Sequence, residues 1–200
     1  ALDIDPEPLA YGQEYLTHLA PAQKRRLDVR EKSVLNITSP KVEVVTACNF
    51  SFYVLKTRTK LLRYFRAART SLKTSGIFVL EMSGGPGMIE RIRDKKSVNE
   101  LRTGKYTYIW DQKSFDPITH AANYAIHFKF PGGIEMVDAF TYDWRLWTIP
   151  EVRDALTDAG FRKSHVYWET THRGRGTGQY ARMENGDNAY SWIAYVVGEK

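Results

Sequence analysis

The chain has 200 residues, of which 42% are hydrophobic and 26% charged, with a single cysteine and a formal charge of +6. That composition makes one globular domain and excludes a disordered segment, a fibre and a disulfide-built scaffold, since Cys48 has no partner inside the chain. Apolar runs such as residues 77–80 and 192–197 are far shorter than the ~20 residues of a membrane span, and no export leader opens the chain, so a cytoplasmic location is expected.

In chain order, residues 2–5 (Leu-Asp-Ile-Asp) read as the end of a short strand. Pro6-Glu7-Pro8 then opens a helix to about Ala20, because proline and acid both suit a first turn. Residues 26–30 are a second short strand candidate. Residues 42–48 (Val-Glu-Val-Val-Thr-Ala-Cys) are mostly apolar and β-branched, the texture of a central strand covered on both faces in a parallel sheet. Leu61, Leu62, Phe65, Ala68 and Leu72 recur at helical spacing with Lys60, Arg63, Arg66 and Lys73 opposite, which predicts an amphipathic helix over 59–72. Thr74-Ser75-Gly76 ends it at a glycine suited to a left-handed turn, and residues 77–82 form a further buried strand. Helix, turn and strand make the return half of a βαβ unit.

Beyond Met82 the texture changes. Gly84-Gly85-Pro86-Gly87 is a turn and residues 89–96 are charged. Residues 106–110, 124–130 and 134–142 are strands, the last two joined in an antiparallel hairpin by Pro131-Gly132-Gly133. Thr148 caps a helix over 150–159, with Glu151 at the third position of a capping box and Gly160 at its end. Residues 165–168 and 191–197 are two closing strands, separated by the Gly/Arg-rich stretch 172–178. The expected fold is α/β, a three-layer sandwich on a mostly parallel sheet with an antiparallel edge. It forms one domain over 1–200, with residues 83–147 as an inserted antiparallel β region that covers the pocket.

Four stretches carry a family pattern by their order and spacing. They are Ala-Leu-Asp-Ile-Asp-Pro-Glu-Pro-Leu at 1–9, Leu-Asp-Val-Arg at 27–30, Val-Val-Thr-Ala-Cys-Asn-Phe-Ser-Phe at 44–52, and Leu-Lys-Thr-Ser-Gly-Ile-Phe-Val-Leu at 72–80. Together they resemble the second to fifth strands of the class I S-adenosylmethionine-dependent methyltransferases, whose fold is Rossmann-like. The resemblance implies S-adenosylmethionine as cofactor and methyl transfer to a small-molecule acceptor. It assigns Asp3 and Ile4 to the cofactor ribose, Asp28 and Val29 to the adenine, and Asn49 and Phe50 to the loop beneath the methyl donor. Residues 140–147 and 150–161 are similar to the distal half of small-molecule members. The family's first strand and glycine-rich loop have no counterpart here, and the chain begins on Ala rather than Met. That strand lies between the second and the fourth in the family's sheet, so an upstream segment or some other strand is expected to fill its place, because buried unpaired backbone groups cost about 1–3 kcal/mol each.

The residues themselves keep alternatives open. A carboxylate at a strand's carboxyl end can accept both ribose hydroxyls, which suits Asp3; an ordinary strand-end acid is the plainer reading. Asp5, before Pro6, reads as a helix cap. Asp28 is either an acceptor for an adenine amino group or a surface acid. Asn49 can position an acceptor and Phe50 can face a sulfonium through cation–π attraction, while Phe50, Phe52 and Tyr53 also suit a core. Phe50-Ser51 replaces the proline pair of the Asn-Pro-Pro-aromatic pattern in amino-methylating nucleic-acid enzymes, so base methylation loses support.

Methyl transfer from a sulfonium is an in-line displacement that positioning alone can accelerate; a general base is needed only for an acceptor protonated at working pH. His127 and Tyr142 are the first candidates for that base, with His120 and Asp143 behind them. Tyr53, Tyr142 and Arg145 are candidate substrate contacts, Arg145 by bidentate contact with an acidic group, unless it pairs with Asp143. The five histidines and one cysteine show no metal-ligand spacing. Lys60, Arg63, Arg66 and Lys73, with Lys24-Arg25-Arg26 and Arg173-Gly174-Arg175, could track phosphates. Such faces are usually only solvated and no RNA-reading module is recognisable, so a small molecule is the expected partner rather than nucleic acid. The competing reading is a non-catalytic module of the same fold, held in an assembly, RNA-associated or otherwise, by its basic surface.

Overall fold

The computed structural model describes residues 1–100, 104–172 and 175–200. A parallel two-stranded ribbon opens it, β1 (Leu2–Asp3) against β2 (Arg30–Glu31), with α1 (Pro6–Thr17) and the one-turn α2 (Pro21–Lys24) between them. Asp5 caps α1 by accepting the Glu7 N–H at 3.0 Å, the role its place before Pro6 suggested. The second strand begins at Arg30, four residues later than the sequence indicated, and Asp28 and Val29 precede it.

β3 (Val42–Ala47), α3 (Arg58–Ser71) and β4 (Leu72–Gly84) follow, with β3 parallel to β4. Thr57 accepts the Lys60 N–H at 3.3 Å and so caps α3, whose Leu61, Leu62, Phe65 and Ala68 are buried. No glycine turn separates α3 from β4. The strand runs from Leu72 straight through Gly76, where a Cβ would lie 2.9 Å from the Glu43 carbonyl and the Leu72 side chain. The glycine therefore serves close approach of two strands rather than a left-handed bend.

An antiparallel sheet comes next: β5 (Arg93–Glu100), β6 (Gly104–Phe115), β7 (Ala121–Lys129) and β8 (Glu135–Arg145), in that spatial order. α4 (Ile149–Asp158) carries the expected capping box, Thr148 with Glu151, and Gly160 beyond it has φ +93°. β9 (Lys163–His172), β10 (Arg175–Arg182) and β11 (Trp192–Glu199) complete a main sheet of order β10-β9-β11-β4-β3. β10 occupies the Gly/Arg-rich stretch read as a connection, and β5 the charged stretch after the glycine turn. Both are edge strands, which need fewer apolar residues.

Three expectations are corrected. The sheets are mixed rather than mostly parallel: among the described residues β1–β2 and β3–β4 are the parallel pairs, and the other pairings are antiparallel. α3 and α4 pack together on one face of the main sheet, through Phe65, Phe78 and Phe161, so a two-layer arrangement replaces the three-layer one. β3 is an edge strand, not a central one, and Val44 is 49% exposed. A β-branched run records what a strand can bury, while its place in the sheet depends on which other strands are there. Among the described residues no helix is long and apolar enough to cross a membrane.

Candidate functional site

The ribbon and the main sheet are separated by a groove of about 460 Å³, with Leu2 and Arg30 on one wall and Val42, Val44, Val45 and Thr46 of β3 with Tyr64 and Ala68 of α3 on the other. Among the described residues no strand fills it. Arg30 Nη1 donates to the Ser39 carbonyl at 2.9 Å, which brings the amino ends of β2 and β3 together. Strands entering at the same end leave at the same end, so the carboxyl termini of β1, β2 and β3 form one edge of the groove. Open sheets of parallel strands bind ligands at that edge.

Asp3 closes β1 on this edge, exposed, with Oδ1 accepting the Asp5 N–H at 3.0 Å. Past the end of β3, Asn49 and Phe50 both adopt left-handed backbone, φ +55° each. Two successive non-glycine residues in that region are costly, of order 1 kcal/mol or more each, and three contacts hold the turn. The Asn49 N–H donates to the Glu81 carboxylate. The Phe50 ring packs against Tyr53 and Trp144, with centroids at 6.0 and 6.1 Å. The turn continues into a 3-10 segment, Ser51–Val54, that buries Phe52 and Tyr53. Tyr195 on β11 donates to the other Glu81 oxygen at 3.2 Å. Burial and that carboxylate push the Tyr195 phenol up to about 12.

The antiparallel sheet sits over this turn. Period-two alternation places Trp110, Tyr124, Tyr142 and Trp144 on one face; Trp110 stacks on Tyr124 at 5.3 Å, and Tyr142 lies 4.6 Å from Trp144 and 5.7 Å from Trp110. Phe50, Trp144, Tyr142 and Trp110 thus form a continuous aromatic wall beside the carboxyl end of β3. Tyr142 is half-buried, and burial raises its phenol, so near neutral pH it is a hydrogen-bond donor rather than a base.

The predicted site residues differ in where they stand. Asp28 and Val29 precede β2, and Asp28 lines the groove; the Arg30 guanidinium, with Nε at 2.9 Å, holds the Asp28 carboxyl below its ordinary range. Tyr53 is core: its hydroxyl donates to the Ser83 carbonyl at 2.8 Å and accepts the Ser83 N–H at 3.1 Å, and burial pushes it up to about 12. His127 is on the opposite face of the antiparallel sheet from the aromatic wall. Its Nδ1 accepts the Asp138 N–H at 2.8 Å, which puts the proton on Nε2 facing Asp111 at 3.1 Å. Both nitrogens are engaged, so it is a structural histidine. Asp143 pairs with Lys56 and not with Arg145. Arg145 donates to Glu151 at 2.9 Å and stacks 3.6 Å over Trp147, in a separate cleft with Arg58, Asp154 and Asp158, where neighbouring carboxylates balance the guanidiniums. His120, backbone left-handed at φ +57°, borders an apolar cavity of about 610 Å³ walled by Trp147, Trp168 and Trp192.

Of the basic residues, Lys73 is on β4 and pairs with Glu43, Lys60, Arg63 and Arg66 line the exposed side of α3, and Arg173 and Gly174 are outside the described residues. Among the described residues no group of three His, Cys, Asp or Glu side chains could hold a metal.

No family model matches the sequence, and no curated protein matches it. Solved structures do. CalS10 from Micromonospora echinaspora, an amino pentose methyltransferase solved with S-adenosylmethionine bound, superposes with a TM-score of 0.69 at 16% identity, over 100% of this chain and 72% of its own. The sugar N-methyltransferase KedS8 from Streptoalloteichus gives 0.65 at 16%, over 100% and 69%. An S-adenosylmethionine-dependent methyltransferase from Clostridium acetobutylicum gives 0.64 at 14%, over 99% and 73%. This chain has the methyltransferase fold. The likeness takes in the antiparallel sheet as well as the main one, since almost the whole chain is matched in each case.

Two groups on the ligand edge escaped the sequence reading. Glu81 was submerged in an apolar strand, where its only signal was an acid at an alternate position. Glu31 ends β2, and the Arg-Glu-Lys charge run hid a two-residue strand.

Proposed function

We propose that the protein transfers a methyl group from S-adenosylmethionine to an amine on a small-molecule acceptor. The observation that carries this reading is that Asp3 and the Asn49–Phe50 turn stand at the carboxyl ends of strands on either side of one groove, in a fold shared with methyltransferases. The residues fit the cofactor: an exposed carboxylate suited to two hydroxyl donors, a polar turn with left-handed backbone, and an aromatic ring available to a cation. When bound, the cofactor supplies an electrophilic methyl on a sulfonium.

In this reading Asp3, with Ile4 beside it, holds the ribose. Asp28, which lines the groove, and Val29 stand beside the adenine, and the Asn49–Phe50 turn orients the reacting end. The wall of Phe50, Trp144, Tyr142 and Trp110 excludes water and lies along the acceptor, with the Tyr142 hydroxyl as donor to it. No side chain on that wall is a base near neutral pH, so the acceptor nitrogen presents its own lone pair and its proton leaves to solvent after transfer. The amine is inferred from the neighbours, named for amino pentose and sugar N-methylation. The groove between β1 and β3 is where the sequence resemblance puts the family's first strand, and a strand there would pair both free edges.

Calorimetry with S-adenosylhomocysteine on the full-length protein tests this. One site is expected, weakened about tenfold or more by Asp3→Asn, the loss of a charged hydrogen bond worth about 1.5–3 kcal/mol. Absence of binding at millimolar ligand ends the reading.

A further inference from the structure

The apolar cavity beside His120 takes no part in that reading, although at about 610 Å³ it is roomier than the groove, at about 460 Å³. It opens where the carboxyl end of β4, the turn from β6 to β7 and the start of α4 meet, and Trp168 of β9 and Trp192 of β11 complete its wall. Tyr53 and Tyr124, both buried, separate it from the aromatic wall. Their rings meet Trp144 at 5.7 and 5.5 Å, while their hydroxyls donate to the cavity's own backbone, Tyr53 to the Ser83 carbonyl at 2.8 Å and Tyr124 to the Met88 carbonyl at 2.6 Å. The cavity is therefore a second compartment and not a continuation of the wall.

Its lining is selective. Among the described residues no Asp, Glu, Lys or Arg borders it, so an ionised ligand would give up its hydration with no counter-charge in return. Trp168 and Trp192 lie 5.0 Å apart, each against glycine backbone: a Cβ at Gly186 would stand 2.8 Å from the Trp168 ring, and one at Gly84 2.2 Å from the Trp192 ring. Trp147 is the third indole, and its Nε1 is already spent on the Leu55 carbonyl at 3.2 Å. Fixed indole walls favour a planar, aromatic occupant. Of the three polar side chains on the lining, Thr148 is engaged in the cap of α4, donating to Glu151 at 3.0 Å. His120, half-buried, has Nδ1 3.3 Å from the Leu146 carbonyl, which puts the proton on Nδ1 and leaves the lone pair of Nε2 without a partner among the described residues. Ser83 is buried and its hydroxyl has no partner either, a state that buried polar groups ordinarily avoid.

We propose that this cavity binds a neutral aromatic small molecule of two or three fused rings with one hydrogen-bond donor, its rings against the indoles and its donor on His120 Nε2. The size agrees. At the ~30 Å³ that a water takes up in the liquid, the cavity has the volume of about 20 waters, inside the span of about 300–1,000 Å³ typical of small-molecule sites. Water in so apolar a space finds few partners, and its release favours an apolar occupant. The inference stands whether or not the chain transfers methyl groups, because the compartment shares no wall residue with the groove.

Calorimetry on the full-length protein with 2-naphthol at pH 8 tests it. One site is expected, with a Kd of about 100 µM, ordinary for a ligand of that size, and naphthalene-2-sulfonate should bind at least about tenfold more weakly. His120→Asn keeps a residue that tolerates left-handed backbone. It should weaken 2-naphthol about three- to tenfold and leave 2-methoxynaphthalene, which has no donor, within about twofold. Trp192→Leu should weaken both naphthalenes about tenfold or more; if that variant does not fold, His120→Asn decides. Asp3→Asn should leave 2-naphthol binding unchanged, which separates this site from the cofactor's. The proposal is overturned by an absence of binding at about 1 mM 2-naphthol, by a sulfonate that binds as well as the naphthol, or by binding that ignores the cavity variants.

Discussion

Trp144 is the side chain that fastens the antiparallel sheet to the main body, and removing it should be costly in a calculable way. It is 5% exposed and lies against Tyr142, Tyr124, Tyr53 and Phe50 at centroid distances of 4.6, 5.5, 5.7 and 6.1 Å. Trp144→Ala takes about 200 Å² of ring out of contact, about 5 kcal/mol at 25 cal/mol per Å², near the upper end of the 3–5 kcal/mol span typical of Trp→Ala. With a urea slope of about 2 kcal/mol per molar, the unfolding midpoint should fall by about 2.5 M. Against a total stability of about 5–15 kcal/mol this leaves about 0–10 kcal/mol, so the variant is folded in buffer only where the wild type stands above the low end of that span. Trp144→Phe keeps a ring at the junction and should lose about half as much. Far-UV circular dichroism is the readout, because the substitution itself alters tryptophan fluorescence. Hydrogen exchange should quicken in β6–β8 before it does in β4. A midpoint drop below about 0.5 M would mean that the two sheets are held together by something other than this aromatic junction.

Three further changes have signs set by the structure. The Tyr53 phenol is raised to about 12, so the folded state favours its protonated form. The stability this brings is whole below the ordinary phenol value near 10 and is lost as pH rises towards 12, by about 3 kcal/mol; Tyr53→Phe should flatten that alkaline limb in urea titrations, while lowering neutral stability by about 1–3 kcal/mol for the two stranded Ser83 groups. Thr148→Ala removes the cap of α4, whose hydroxyl accepts the Glu151 N–H at 3.3 Å, and should lower stability by about 0.5–2 kcal/mol. Gly84→Ala places a Cβ 2.2 Å from the Trp192 ring, and the forced shift should cost about 1–3 kcal/mol in thermal or urea unfolding, with a change in tryptophan emission that Thr148→Ala does not show.

What was legible in the sequence was local. α3 could be read because Leu61, Leu62, Phe65 and Ala68 repeat at the helical period whatever they pack against, and α4 because Thr148, Glu151 and Gly160 act within a few residues of one another. The hairpin of β7 and β8 is closed by its own turn. Asp5 caps the helix it precedes. The order of the four family-like stretches was enough to anticipate the methyltransferase fold, since that order is a property of the chain itself.

What only the tertiary structure decided concerns partners distant in sequence. A strand's alternation is the same in a parallel or an antiparallel pair, at an edge or at the centre, so the sequence of β3 could not say that its outer side lines a groove, nor that β5 and β10 exist in charged and glycine-rich stretches. The same holds for the site. His127, Asp111 and Asp138 come together through the register of three strands. Asp28, just before a strand that starts at Arg30, pairs with that guanidinium at the groove, and Glu81 reaches Asn49 across 32 residues. A side chain's type follows from the chain, but which nitrogen, carboxylate or ring it meets is set by pairing register and sheet face, and these are fixed only when every strand is in place.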